Sequence, residues 1–233
     1  MGNIPAVILS HRRQEFVYRT ALELRRRTSG LGDIVVVDDS GDTAHHEWLD
    51  RMGFQFSTVH PTENRGYLEA MTRVFDVAGE LADAAGTEYA LLWEEDFSLQ
   101  VDLRLSHMVK VMEGNPRLAH LNLQRQAVYR VEKQFGYLES HERRGYGLSL
   151  HQTNGVEWIK RDRPFTTNPG LIRRELLDMP WPSRMKADKV VGGAEPAMSL
   201  DLEAAGWHFG WLGMWNRNQT VHVSNAHKTG TGY

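Results

Sequence analysis

The chain has 233 residues, no cysteine, 24% charged residues and a formal net charge of −3. That length suits one domain with a sizeable core, and the missing cysteines exclude a disulfide scaffold and thiolate-ligated zinc. The mild acidity argues against bulk electrostatic binding to nucleic acid or anionic lipid, and no run reaches the ~18 apolar residues of a membrane span.

The opening MGNIPAVILSHRRQEF passes straight into a strand without a small-residue cleavage site, which reads as a mature, cytoplasmic start. Ile4 to Ser10 is a short apolar run without alternation, as expected of a strand buried on both faces. QEFVYRTALELRRRT follows, with Val17, Ala21 and Leu24 on one helical face. DIVVVDDSGD predicts a second buried strand that breaks into a polar turn. TAHHEWLDRMG predicts a short helix ending at Gly53. Its HEWLD resembles half a zinc-protease helix, but Asp50 stands where the second His belongs, so it reads as surface helix. FQFSTVH is the third strand, and a long helix carries Leu68, Met71, Phe75, Ala78 and Leu81 and closes on Gly86. YALLW is the fourth strand and delivers Glu94, Glu95 and Asp96. A helix through Leu105, Met108 and Met112 stops at Gly114 and Pro116, before the strand LAHLNLQ.

Such alternation predicts an α/β fold with a mainly parallel central sheet flanked by helices, whose ligands bind where strand carboxyl ends open into loops. After Gln124 the pattern turns irregular, so one domain is expected, with a first half over 1–125 and a smaller, irregular lobe over 126–233 on the same sheet. PFTTNPGLIRRELLDM reads as strand then helix, and PWPSRMKADKVVGG as an irregular, mobile loop. AEPAMSLDLEAAG is helical through Ala194, Met198, Leu202 and Ala205, and WHFGWLGMW and TVHVS are strand-like.

A nicotinamide-binding G-x-G-x-x-G after the first strand and a P-loop are both absent. Three consecutive acids are either a solvated strand end or a cation site. Hard divalent ions take carboxylate oxygens, and one or two acids suffice when a diphosphate completes the shell. On the second reading Asp96 binds the ion, Glu95 reaches a ribose hydroxyl or a metal-bound water, and Glu94 orients the turn. Asp38 and Asp39 in VVDDSGD suit a nucleobase edge or ribose, or else form an ordinary Asx turn. Asn64-Arg65-Gly66 opens the long helix with groups that suit an anion, or is a routine helix start. Trp181 lies in the loop expected to be mobile and is a candidate lid or acceptor contact. Asn168 and Arg173 are candidates to line the acceptor pocket.

In order and spacing, VILSHRRQEFVYRTALELRR, DIVVVDDSGD, NRGYLEAMTRVFDVA and LLWEEDFSL resemble the donor half of GT-A nucleotide-diphospho-sugar glycosyltransferases of the family 2-like group. EEDFSLQVDL looks like the E-D-D variant of the D-x-D motif found in the N-acetylglucosaminyltransferase I type, although Glu94 and Glu95 stand where many relatives have Asp. The resemblance spans roughly 4–125. It implies a Mn2+ or Mg2+ ion on a UDP- or GDP-linked donor, held by Asp96, with Glu95 as the alternative ligand that this departure leaves open, and with Ser10, Arg12, Arg13 and Arg65 at the nucleotide and diphosphate. Further along, GGAEPAMSLDLEAAGWHFGWLG is similar to the segment where such enzymes begin a helix with an acid facing the acceptor, which makes Glu195 the general base of an inverting transfer. TVHVSNAHKTGTGY resembles the late segment that returns a His to the metal; His222 fits this role, with His227 as the alternative, and Lys228 is a candidate for the diphosphate. The acceptor hydroxyl stays open among glycan, protein, small molecule and modified DNA base. A nucleotidyltransferase or sugar-nucleotide hydrolase, and a non-catalytic binding relative, are the rival readings.

Overall fold

In a computed structural model of the chain, residues 2–53, 56–59, 64, 66–123, 147–161, 165–190, 193–212 and 220–222 are described, those at 184, 221 and 222 by backbone alone. The main sheet contains β1 (Ile4–Ser10), β3 (Leu31–Asp38), β4 (Ser57–Val59), β5 (Tyr89–Glu94), β8 (Leu118–Asn122), β9 (Ser149–Thr153), β10 (Val156–Arg161), β11 (Gly170–Arg173) and β12 (His208–Leu212). Their order is β4-β3-β1-β5-β11-β8-β12-β10-β9. Only β10 and β11 run against the rest, so the sheet is mostly parallel. Among the described residues there are also two small ribbons: β2 (Thr28–Ser29) with β7 (Leu103–Arg104), and β6 (Phe97–Leu99) with β13 (Thr220–His222).

The unbroken apolar runs serve two cores at once. Ile4, Ala6 and Ile8 of β1, Ile34 and Val36 of β3, and Leu91 and Trp93 of β5 enter one core. Their neighbours Val7 and Leu9, Val35 and Val37, and Ala90 and Leu92 enter the other. Alternate side chains of a strand point to opposite faces, so a strand covered on both sides has no polar positions to spare. Helices α1 (Gln14–Arg27), α2 (Thr43–Arg51) and α4 (Leu105–Glu113) cover the first face through Val17, Ala21 and Leu24, through Leu49, and through Leu105, Met108 and Met112. On the second face lie α3 (Tyr67–Ala85), a 3-10 turn (Arg174–Leu176) and α6 (Ala194–Ala204). Full burial of one such side chain, Leu24 for instance, contributes about 1.5–3 kcal/mol. Helix α3 stops where predicted: Gly86 takes the left-handed conformation at φ 61°, and Thr87 N–H donates to the Ala82 carbonyl at 3.0 Å.

The second half of the chain continues the same sheet. Strands β9 and β10 form a hairpin whose two central residues, Asn154 and Gly155, have φ 51° and 77°, the paired left-handed conformations of a two-residue turn. After β11 the chain makes only the single 3-10 turn rather than the longer helix expected from RRELLDM. The segment expected to be an irregular, mobile loop contains α5 (Arg184–Ala187), and its Lys186 is ion-paired with Asp201 of α6.

One close approach locks the centre. A Cβ on Gly170 of β11 would lie 2.4 Å from His120 Nε2 and 2.7 Å from the Leu121 carbonyl, so only glycine allows β11 to sit against β8 there. His120 is fully buried against the ring of Phe165. Burial, with a smaller contribution from the nearby Arg161 charge, lowers its pKa to about 3 from an ordinary 6.5. A depressed histidine pKa means the unfolded chain binds the extra proton first. The stability it gives is therefore complete above pH 6.5 and falls as the pH drops towards 3. His120→Leu is expected to flatten the loss between pH 7 and 4.5, which in the parent amounts to about 2–3 kcal/mol from this group. Urea denaturation of both proteins at the two pH values checks it, and parallel slopes against pH would exclude His120 as the source.

Candidate functional site

Register carries the site. Ser10 of β1 pairs with Asp38 of β3, and Leu9 pairs with Glu94 of β5, so three adjacent parallel strands release their chains at one level. Ser10, Asp38, Asp39 and Ser40 are all buried at this edge. The loop leaving β1 holds Arg12 at φ 60°, a left-handed conformation that costs a non-glycine residue energy and persists only where its surroundings enforce it. Arg12 donates from Nη2 to the Ser40 carbonyl at 3.4 Å and its Nε lies 3.6 Å from Asp42, tying this loop to the one after β3.

Arg13 is the counter-charge of two of the three acids, Glu95 and Asp96. Its Nη1 donates to Asp96 Oδ2 at 2.6 Å and lies 3.4 Å from Glu95 Oε1. The turn that carries the acids is held from below by Thr20, whose hydroxyl reaches the carbonyls of Glu95 at 2.9 Å and Phe97 at 3.3 Å. Trp93 Nε1 also donates to Phe97 O, at 3.0 Å. Glu95 is only 5% exposed. Burial, reinforced by the Asp96 charge and opposed by Arg13, raises its carboxyl well above the ordinary carboxylate range. Its carboxylate shares the Arg13 ion pair with Asp96, which is buried to the same degree.

Asp38 and Asp39 hold imidazoles. His45 Nε2 lies 3.0 Å from Asp38 Oδ2 and His46 Nε2 3.1 Å from Oδ1, and the Ser40 hydroxyl and N–H both donate to Oδ1. Burial pushes the Asp38 carboxyl up, but the bonds from His45 and Ser40 outweigh it and the net shift is downward. Asp38 is therefore closed off from solvent, and the groups at this edge are the partly exposed His46 and His11, the latter 2.8 Å from Asp39. The helix that read as surface thus sends two histidines inward. Asp42 caps it by accepting from the N–H groups of Ala44 and His45, which aims its first turn at Asp38.

Across the sheet edge, Glu195 opens the first turn of α6. Its Oε1 accepts from Thr167 N–H at 2.5 Å and lies 2.7 Å from the Thr167 hydroxyl. The same hydroxyl lies 2.7 Å from Glu94 Oε1 and accepts from Tyr67 OH at 3.0 Å. Glu94, expected only to orient the turn, thereby joins Glu195, and the start of α3 joins both. Ahead of that helix, Asn64 Oδ1 accepts from Gly66 N–H at 2.8 Å, a local turn that sets the helix entry. Asn168 lies beside Thr167, half-buried, with its carbonyl accepting from Asn122 Nδ2 at 2.9 Å.

Two expected acceptor contacts lie elsewhere. Arg173 pairs in register with Tyr89, the first residue of β5, at the opposite end of the sheet. There it donates to the carbonyls of Leu118, Met112 and Asn115 at 2.8, 2.5 and 3.0 Å and closes the end of α4. Trp181 is 7% exposed, its ring packed on Phe75 at 5.2 Å and Phe165 at 6.0 Å, so it belongs to the core of the second face and not to a lid. Arg65, His227 and Lys228 lie outside the described residues, and so does the side chain of His222. The backbone of His222 pairs with Phe97, one residue beyond Asp96.

The donor set suits a hard cation, since the acids end in carboxylate oxygens. Among the described residues, however, no three His, Asp or Glu side chains converge on one point. A divalent ion here would need Asp96, a later residue and ligand oxygens together. No helix among the described residues is long and apolar enough to cross a membrane.

The mostly parallel sheet with helices on both faces is an α/β fold that two solved proteins share. The mannosyltransferase PcManGT of Pyrobaculum calidifontis, solved in complex with GDP-Man and Mn2+, superposes with a TM-score of 0.55 at 14% identity over 92% of this chain. TarS of S. aureus superposes with a TM-score of 0.57 at 10% identity over 96% of this chain. The chain spans 55% and 37% of the lengths of those two proteins. No family model matches the sequence, and no curated protein matches it.

Proposed function

We propose that the chain is a glycosyltransferase that moves a sugar from a UDP- or GDP-linked donor to an acceptor hydroxyl, with inversion and with help from Mn2+ or Mg2+. The observation that carries this reading is the meeting of the strand-end Glu94 with Glu195 at one edge, bridged by a single threonine. Transfer separates charge: the sugar becomes cationic and the diphosphate anionic. Arg12 and Arg13, which reach Asp42 and Asp96 at this edge, are the candidate cations for the diphosphate, with Arg65 and Lys228 as further candidates, and Ser10, Asp39, Asn64 and Gly66 are the remaining candidate donor contacts. Glu195 accepts the acceptor's proton on Oε2, which takes no hydrogen bond among the described residues, while Oε1 stays fixed by Thr167. Asp96 and His222 are the candidate metal ligands, supported by the backbone register that brings position 222 beside the acid turn. An ion held there would supply Lewis-acid stabilisation of the leaving diphosphate. The fold that the chain shares with a mannosyltransferase bound to GDP-Man and Mn2+ supports the donor class.

A thermal-shift screen of UDP and GDP sugars, with and without Mn2+, tests the proposal. A cognate donor at a hundred times its Kd is expected to stabilise the protein by about 2.7 kcal/mol. The shift should shrink on chelation. Labelled donor then identifies the bond broken. Cleavage between the sugar and the diphosphate supports transfer, cleavage between phosphorus atoms would make the chain a nucleotidyltransferase or hydrolase, and binding without turnover would make it a binding protein.

A further inference from the structure

We propose that Thr167 is a positioning residue for transfer, holding the Glu195 carboxylate in one orientation and coupling it to Glu94. The inference rests on Glu195 being the base. Thr167 is 6% exposed and precedes β11, while Glu195 stands on α6 and Glu94 ends β5, so three separate elements converge on one hydroxyl. Two donors from the same residue, N–H at 2.5 Å and Oγ1 at 2.7 Å, meet Glu195 Oε1. Two bonds to one oxygen fix the carboxylate plane, which a single bond would leave to rotate. That leaves Oε2 as the oxygen available to take a proton.

The hydroxyl cannot serve both acids equally. It has one proton, and Glu94 Oε1 lies as near to it, at 2.7 Å, as Glu195 Oε1 does. Tyr67 OH donates to the same oxygen at 3.0 Å, which directs the hydroxyl proton away from the tyrosine and towards the carboxylates. Glu94 and Glu195 therefore compete for one donor. A change at the strand-end acids when the donor sugar binds alters the hydrogen bond available to the base, although the two acids belong to opposite halves of the chain. A hydrogen bond to a charged group contributes roughly 1.5–3 kcal/mol, and losing one from the base corresponds to a fall in kcat of about 10- to 100-fold.

The test compares Thr167→Val, Thr167→Ala, Thr167→Ser and Glu195→Gln in the full chain, by steady-state kinetics and thermal unfolding. Valine keeps the shape and the backbone N–H but removes the hydroxyl; it is expected to lower kcat by 10- to 100-fold while leaving the donor KM within about twofold. Serine restores the hydroxyl and should recover kcat to within a few-fold. If valine does not fold, alanine replaces it in the comparison. Should serine lose as much as valine or alanine, the methyl group matters and the role is packing, which overturns the proposal. Undiminished kcat in the valine or alanine variant overturns it too. In both cases an inactive Glu195→Gln leaves the base assignment standing, whereas an active Glu195→Gln removes that assignment itself.

Discussion

Glu195→Gln is expected to bind the nucleotide sugar as tightly as the parent and to transfer it about 10^2- to 10^4-fold more slowly, the usual contribution of a positioned general base. Glutamine is the informative replacement because its carbonyl oxygen can keep both Thr167 bonds, from N–H and from Oγ1, so the first turn of α6 has no reason to move. What disappears is the capacity to take a proton. Calorimetry with donor and Mn2+ should give an unchanged Kd, and single-turnover transfer to acceptor should show the loss. Donor hydrolysis by water is expected to fall in step, since water also needs a base. A variant with full transfer activity would remove the inverting assignment, and a retaining route with a different nucleophile would then be preferred. Loss of donor binding along with transfer would indicate that the substitution disturbs the edge through Thr167 and Glu94 rather than through proton transfer.

The part of this site that was legible in the sequence is the part set by strand ends. Runs such as IPAVILS and DIVVVDD lack alternation because both faces are covered, and the point where apolar residues stop is the point where Ser10, Asp38 and Glu94 emerge. Pairings across the chain leave no trace in periodicity. Arg13 and Asp96 are 83 positions apart, and nothing local to either residue predicts that they meet. His45 and His46 follow the Asp42 cap, a Ser/Thr/Asp/Asn-type helix start that was readable, but their inward direction depends on how α2 docks against β3. The place of Arg173 is hidden for a related reason. This residue follows Thr167, which meets Glu94 and Glu195, yet β11 runs antiparallel to β5 and carries Arg173 to the far end within four residues. Trp181 shows the limit of composition: prolines and charges around it suggest an open loop, while the ring itself fills the space between Phe75 and Phe165. The Asn154-Gly155 pair was an available hairpin signal in a stretch that read only as irregular.

Asp96→Ala is expected to abolish the Mn2+-dependent part of donor binding and with it most turnover. Asp96 is 6% exposed in a tight turn fixed by Thr20 and Trp93, so its carboxylate is held in place before any ligand arrives. Arg13 balances its charge at 2.6 Å. The same guanidinium is 3.4 Å from Glu95, so removing Asp96 leaves Arg13 a second partner and eases the repulsion that raises the Glu95 carboxyl. Both effects offset the loss of the Asp96 ion pair, and the fold is expected to survive the change. The direct readout is Mn2+ bound in the presence of nucleoside diphosphate, followed by the paramagnetic signal of the free ion. At least a tenfold weakening is expected, corresponding to about 1.4 kcal/mol. Arg13→Gln separates the ion from the arginine: it removes the competing cation and should leave Mn2+ binding intact or tighter while weakening the metal-free binding of the diphosphate. Equal Mn2+ affinity in the parent and in Asp96→Ala would mean that Asp96 serves Arg13 alone and that the diphosphate is met by arginine rather than by a metal.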